Sequence, residues 1–222
     1  MADREDEAMI VVLGRPRVYR PEPDGDLAPG GLAVELALAV ARGGADVELV
    51  GSIGDDPEGD RIVVELGRAG VGHSALLRDP ATRTPLVGQP RDARPLPRLD
   101  AADVELGLRY LHDCRVLIVG AELDPEALAK AQEAADYHAA AVVMVAAADV
   151  VDPEVLGPSV TLLERPATED AESVEDAVVV AADDADFAAF VADYALRLDR
   201  GESPAKAFSA ALGGSAWEPA LE

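Results

Sequence analysis

The chain has 222 residues, enough for one large α/β domain with a real core, and its 49% apolar share is too high for a disordered protein. With 43 acidic against 19 basic residues the formal charge is −24, which argues against nucleic acid and anionic lipid surfaces as partners. Aromatics make up only 4%, so the core must come from Val, Leu, Ile and Ala.

In chain order, Met9 to Leu13 is a short apolar run ending at Gly14, the pattern of a buried strand. Residues 15–29 carry four prolines and no period, which predicts a loop or a clipped pair of edge strands. From Gly31 the spacing of Leu32, Leu36, Ala39 and Val40 is helical, and Gly43 and Gly44 stop the helix in the manner of a C-cap. A strand, Val47 to Val50, follows. The turn "GSIGDDPEGD" puts Pro57 at a first helical position, and Ile62, Val63, Leu66 and Ala69 mark one face before Gly70. "HSALLRD" reads as another strand. Residues 80–99 hold five prolines and four arginines without a period and are expected to be irregular or weakly stranded. Asp100 is placed as the N-cap of a helix reaching about His112.

Three continuous apolar runs of strand length come next: "RVLIVG" (115–120), "AAVVMVA" (140–146) and "SVTLL" (159–163). A helix, "DPEALAKAQEAADYH", separates the first two. Runs buried on both faces and alternating with helices predict a three-layer α/β/α domain with a mostly parallel central sheet, one domain spanning 1–222. A further strand, "DAVVVAA", precedes two helices, Asp186 to about Leu198 and Pro204 to about Leu212. Phe187, Phe190 and Tyr194 fall on helical spacing and are expected to pack.

The lone Cys114 can form no internal disulfide, the start "MADREDEAM" is acidic where a signal peptide is basic, and no apolar run reaches the roughly 18 residues of a membrane span. The expectation is a cytoplasmic protein. His73, His112 and His138 show no ligand spacing, so no metal site is predicted.

The stretch "PGGLAVELALAVARGGADVELVGSIGDDPEGDRIVVELGRAGV", residues 29–71, resembles the N-terminal signature of the PfkB or ribokinase-like family of carbohydrate and nucleoside kinases: a Gly-Gly turn, a substrate-side helix, a strand, then G-x-D-x-x-G and a helix ending in GV. "RVLIVGAELDPEALAKAQEAADYHAAAVVMV" is similar, more loosely, to the family's middle βαβ segment. "FAAFVADYALRLDRGESPAKAFSAALGGSA" resembles the helix pair after its catalytic motif. The resemblance implies a ribokinase-like fold with reduced lid segments at 15–29 and 80–99. It also implies a sugar-like ligand at Gly30, Gly31 and the position of Glu35, where the family has an Asn that hydrogen-bonds substrate hydroxyls.

The departures from the family point away from catalysis. Glu35 can accept from a hydroxyl but cannot donate as an amide does. The substrate-binding Asp expected soon after the first strand is missing from "GRPRVYR". Members carry DTxGAGD, whose glycine amides at a helix N-terminus hold the migrating phosphate and whose last Asp is the base. Aligned back from Gly201, "AADDADFAA" lies over it, with Ala188 at the base position, or Asp186 if a two-residue gap is allowed. No glycine stands between Gly157 and Gly201. Asp183, Asp184 and Asp186 would oppose a phosphoryl anion by several kcal/mol, on the order of a Coulomb estimate at intermediate dielectric. Asp186 itself reads as the N-cap of the following helix.

Two functions follow from this sequence, beside a third in which a small-molecule sensor without chemistry keeps the Gly30, Gly31 and Glu35 pocket. The first is a degenerate, pseudokinase-like binding, regulatory or scaffold protein without phosphotransfer, catalytic residues, metal or cofactor. Its trimmed sheet edges would be covered in a homodimer or a heteromer with another protein. The alternative is an active carbohydrate or nucleoside kinase using Asp186 as base with ATP and Mg²⁺.

Overall fold

The computed structural model describes residues 8–22, 25–87, 94–109, 111–120, 123–147, 160–165 and 182–215. Six strands form the central sheet: β1 (Met9–Leu13), β4 (Asp46–Gly54), β5 (Leu76–Asp79), β6 (Cys114–Val119), β7 (Ala141–Ala147) and β8 (Val160–Arg165). Their spatial order is β5-β4-β1-β6-β7-β8 and every pairing is parallel. Strand order reverses between β1 and β6, so the chain winds out from the centre in both directions. A separate ribbon joins β2 (Arg17–Tyr19) to β3 (Ala28–Gly30) in antiparallel register, Arg17 opposite Gly30 and Tyr19 opposite Ala28. The clipped pair of edge strands expected in 15–29 is thus present.

β1 shows why the layers form. Ile10 and Val12 pack into one apolar core with α1 (Leu32–Arg42), α2 (Pro57–Arg68), α5 (Ala182–Asp199) and α6 (Pro204–Gly214). Val11 and Leu13 pack into a second core with α3 (Ala101–Arg109) and α4 (Pro125–His138). Side chains that alternate between faces and are fully buried on both are the signature of a covered parallel sheet. Phe187, Phe190 and Tyr194 are buried in the first core, as their spacing predicts.

Three boundaries differ from expectation. β4 runs four residues past Val50, because Gly51 and Ser52 let it pair with β5 where Gly51 passes close to the Gly14 carbonyl. α3 is capped by Asp100, whose Oδ1 accepts from Asp103 N at 2.9 Å, but its helix ends at Arg109. α5 starts at Ala182, one turn before Asp186, so Asp186 is not an N-cap. Acidic residues favour a helix's first turn, and "ADDA" therefore begins the helix rather than preceding it. The predicted strand "DAVVVAA" lies outside the described residues apart from its last alanine, Ala182, which opens α5.

Candidate functional site

In a doubly wound sheet, ligands bind outside the carboxyl ends of the strands where the strand order reverses. Here that point lies beyond Leu13 and Val119, at Gly14 and Gly120. Gly14 is buried against Ala33, and a Cβ on Gly120 would stand 3.1 Å from Leu36. These bare backbones let α1 lie close over the strand ends.

α1 opens on Gly31, held at φ 88° and ψ 154° with no side-chain cap. Only glycine adopts that conformation readily. The amides of Val34 and Glu35 both return to the Gly31 carbonyl at 3.0 Å, whereas the helix supplies no acceptor for the amides before them. Above this turn sits the β2–β3 ribbon. The Tyr19 ring comes within 2.7 Å of where a Gly30 Cβ would be, and the Arg17 side chain within 2.9 Å of the same point on Gly31. Gly30 at the end of β3, Gly31 at the N-cap and Glu35 in the first turn of α1 thus adjoin one another, with Tyr19 packed on Gly30 and Arg17 on Gly31. Glu35 is half-buried and already engaged in a polar interaction. The sequence does not reveal the roof, because it depends on ribbon register rather than on any local pattern.

The ribbon is braced from the next turn of the sheet. Asp56 caps α2 by accepting from Gly59 N at 2.9 Å, and its second oxygen accepts from Thr84 N at 2.8 Å. Thr84 in turn accepts from Gly54 N at 3.0 Å. The segment held in this way exchanges backbone bonds with the ribbon, Val18 N to Pro85 O and Val87 N to Val18 O, both at 2.9 Å. Burial alone would raise the Asp56 carboxyl, but hydrogen bonds from Thr84 and Gly59 and the nearby Arg94 charge outweigh it and hold the pKa below the usual value. Asp56 and Gly59 are therefore a loop and helix-start device. Arg78 also bridges Asp55 and Asp60, at 3.4 and 2.8 Å. Among the described residues no group of three or more His, Cys, Asp or Glu is placed to hold a metal.

The second helix facing this edge is α5. Leu196, near its end, lies against Gly43 at the end of α1, and Arg115 at the start of β6 donates to the Asp199 carbonyl at 3.4 Å. Both helices therefore finish at the amino edge of the sheet and begin at its carboxyl edge. Asp186 is exposed and lies in the second helical turn, and Phe187 and Ala188 beside it are buried. From residue 186 onward each amide has a helix carbonyl four residues back, so only the amides of the first turn remain available. Those belong to a glycine-free, Asp-bearing stretch.

The family model described as pfkB family carbohydrate kinase matches residues 10–89, which run from β1 through the ribbon, the Gly-Gly turn and α2 to the segment braced by Asp56. Over residues 10–89 the chain is similar to that family. The solved structures agree on the fold. A fructokinase from Xylella fastidiosa is 19% identical, with 68% of this chain and 53% of that chain covered at a TM-score of 0.51. A carbohydrate kinase from Agrobacterium tumefaciens is 14% identical over 92% of this chain and 88% of that one, TM-score 0.58. A protein described as Sa239 is also 14% identical, over 96% and 95%, TM-score 0.59. At these identities the likeness concerns architecture alone. The PfkB-like chain spans about half the length of the Xylella fructokinase and comes close to the full length of the other two. No curated protein matches it significantly.

Proposed function

We propose that the chain is a PfkB-like protein that binds a small sugar-like polyol at the α1 turn and does not transfer phosphate. The carrying observation is that α5 runs unbroken from Ala182, through the acidic stretch where the family resemblance expects a glycine-lined phosphate loop. Phosphoryl transfer is driven mainly by positioning and by electrostatic stabilisation of the migrating group. A glycine-free first turn bearing Asp183 and Asp184, followed by amides that are all consumed in the helix from residue 186 onward, supplies neither. On the substrate side, Gly30 and Gly31 place backbone close to a ligand, Glu35 accepts a hydroxyl, and Arg17 and Tyr19 close the turn from above. Such a protein acts as a sensor or a regulatory subunit, binding without ATP or Mg²⁺, with its sheet edges covered by a second copy or another protein.

The test has two arms on the purified chain. Thermal shifts with a panel of sugars and nucleosides, with and without Mg·ATP, read binding: a ligand at a hundred times its Kd stabilises by about 2.7 kcal/mol. Transfer from γ-labelled ATP to any stabilising sugar reads chemistry. A shift with a sugar and no labelled product is the expected result. Labelled product that disappears in Asp186→Asn would establish the kinase with Asp186 as its base.

A further inference from the structure

The face of the sheet opposite α1 and α5 carries a groove that the α1 turn does not explain. It lies between α3 and α4, with His112 in the connection to β6 at one end, and has a volume of about 400 Å³. That is within the roughly 300–1,000 Å³ of small-molecule sites. We propose that it binds an organic cation, a quaternary or protonated amine carried on a small aromatic body.

The sign follows from fixed charges. On the lining, Arg109 pairs with Glu105 at 2.8 Å, Lys130 with Glu133 at 2.8 Å, and Lys130 reaches across to Glu105 at 3.9 Å, so these four cancel. Arg109 and Lys130 are the only Arg or Lys in residues 101–113 and 125–138, whereas the same segments also hold Asp103, Asp113, Glu126 and Asp136. The surplus is acidic. Asp113 adjoins His112 and Asp136 adjoins Tyr137, and both aspartates are exposed. Chain neighbours stand about 3.8 Å apart at Cα, inside the about 8 Å over which a charge acts in physiological salt.

The helix ends point the same way. α3 finishes at Arg109 and α4 at His138, and both residues line the groove, so two helices turn their carbonyl poles toward one end of it. That pole favours cations. The groove already stabilises one: a hydrogen bond and the charge of Glu133, with the charge of Glu105, raise the Lys130 ammonium above its usual pKa.

The aromatic requirement comes from Tyr137, which is 86% exposed, its ring perpendicular to that of His138 at a centroid distance of 5.0 Å. A phenol ring turned out to water contributes little to folding, yet its face attracts a cation and stacks on a second ring. Leu108 and Ala134 add apolar lining for the body of the ligand.

The test is calorimetric titration of the full chain at pH 8, where imidazole in general is uncharged, with benzyltrimethylammonium, tetramethylammonium and benzyl alcohol. Saturable binding of the benzyl cation at least fivefold tighter than either of the others supports the proposal, since one lacks the ring and the other the charge. Tyr137→Ala should weaken it at least fivefold with an unchanged melting temperature, and Tyr137→Phe should retain it. Glu133→Gln, which leaves Lys130 with less to neutralise it, should weaken it as well. Equal affinity for tetramethylammonium would reveal mere diffuse attraction to an acidic chain and overturn the proposal. Equal affinity for the alcohol, unaltered affinity in Tyr137→Ala or Glu133→Gln, or no binding heat from any probe would overturn it too. Sugar binding at the α1 turn lies on the other face and should be untouched by these variants, so the two readings fail separately.

Discussion

α1 and α5 lie side by side and begin at the same edge of the sheet, yet the two starts are built for opposite purposes. α1 opens on two glycines, one at a positive φ, with a ribbon folded over its first turn. α5 opens on a glycine-free acidic turn and buries Phe187, Ala188, Phe190 and Val191 at once. Both carry the same macrodipole, so the dipole alone does not make a ligand site. What differs is the sequence at the helix start. α1 thus starts on a glycine turn, whereas α5 commits its side chains to packing from Phe187 onward.

The contrast can be broken most severely from the α5 side. Phe190 is fully buried and meets Phe208 of α6 edge-to-face at 5.5 Å. Phe190→Ala should cost about 3–5 kcal/mol, read as a large fall in the denaturation midpoint, while a ligand at the α1 turn still binds what remains folded. Gly31→Ala comes next. The residue's backbone conformation is essentially reserved to glycine, and a Cβ would press on Arg17. A loss of about 1–3 kcal/mol is expected, together with loss of the sugar-induced thermal shift, because ribbon and turn must separate.

Asp56 offers a finer probe of the same region. Removing its charge in Asp56→Asn should cost about 1 kcal/mol and weaken the hold on the ribbon. It also makes a pH prediction. The folded carboxyl titrates below its ordinary value of 3.8. Its stabilising effect is therefore complete above about pH 4 and is lost as pH falls through the lowered folded pKa. Melting temperatures followed from pH 5 to pH 2 should fall more steeply in the wild type than in Asp56→Asn. The smallest effect belongs to Asp186→Asn: the side chain is exposed, so stability should move by no more than about 0.5 kcal/mol. Sugar binding should not move at all.

Much of this architecture can be read from the sequence, because strands buried on two faces and helices with one apolar stripe leave period and length signals. Asp100 and Pro57 announced two helix starts, and Gly30, Gly31 and Glu35 stand together in space because they stand together in the chain. Other features left no such trace. α5 starts a turn before Asp186, because aspartates are as acceptable inside a first turn as before it. Thr84 holds Asp56 across 28 residues, and His112 and His138 line one groove only because α3 and α4 pack side by side. Contacts of that kind depend on the fold as a whole, so no window of the sequence shows them.

The central claim is that the start of α5 does not receive a γ-phosphate. Amide resonances of residues 182–188, followed while a non-hydrolysable ATP analogue and Mg²⁺ are titrated in, test it directly. The account predicts that these resonances stay in place up to millimolar nucleotide, while a bound sugar shifts those of Gly31 to Glu35. Saturable movement of the Asp186 and Phe187 amides at micromolar nucleotide would contradict it.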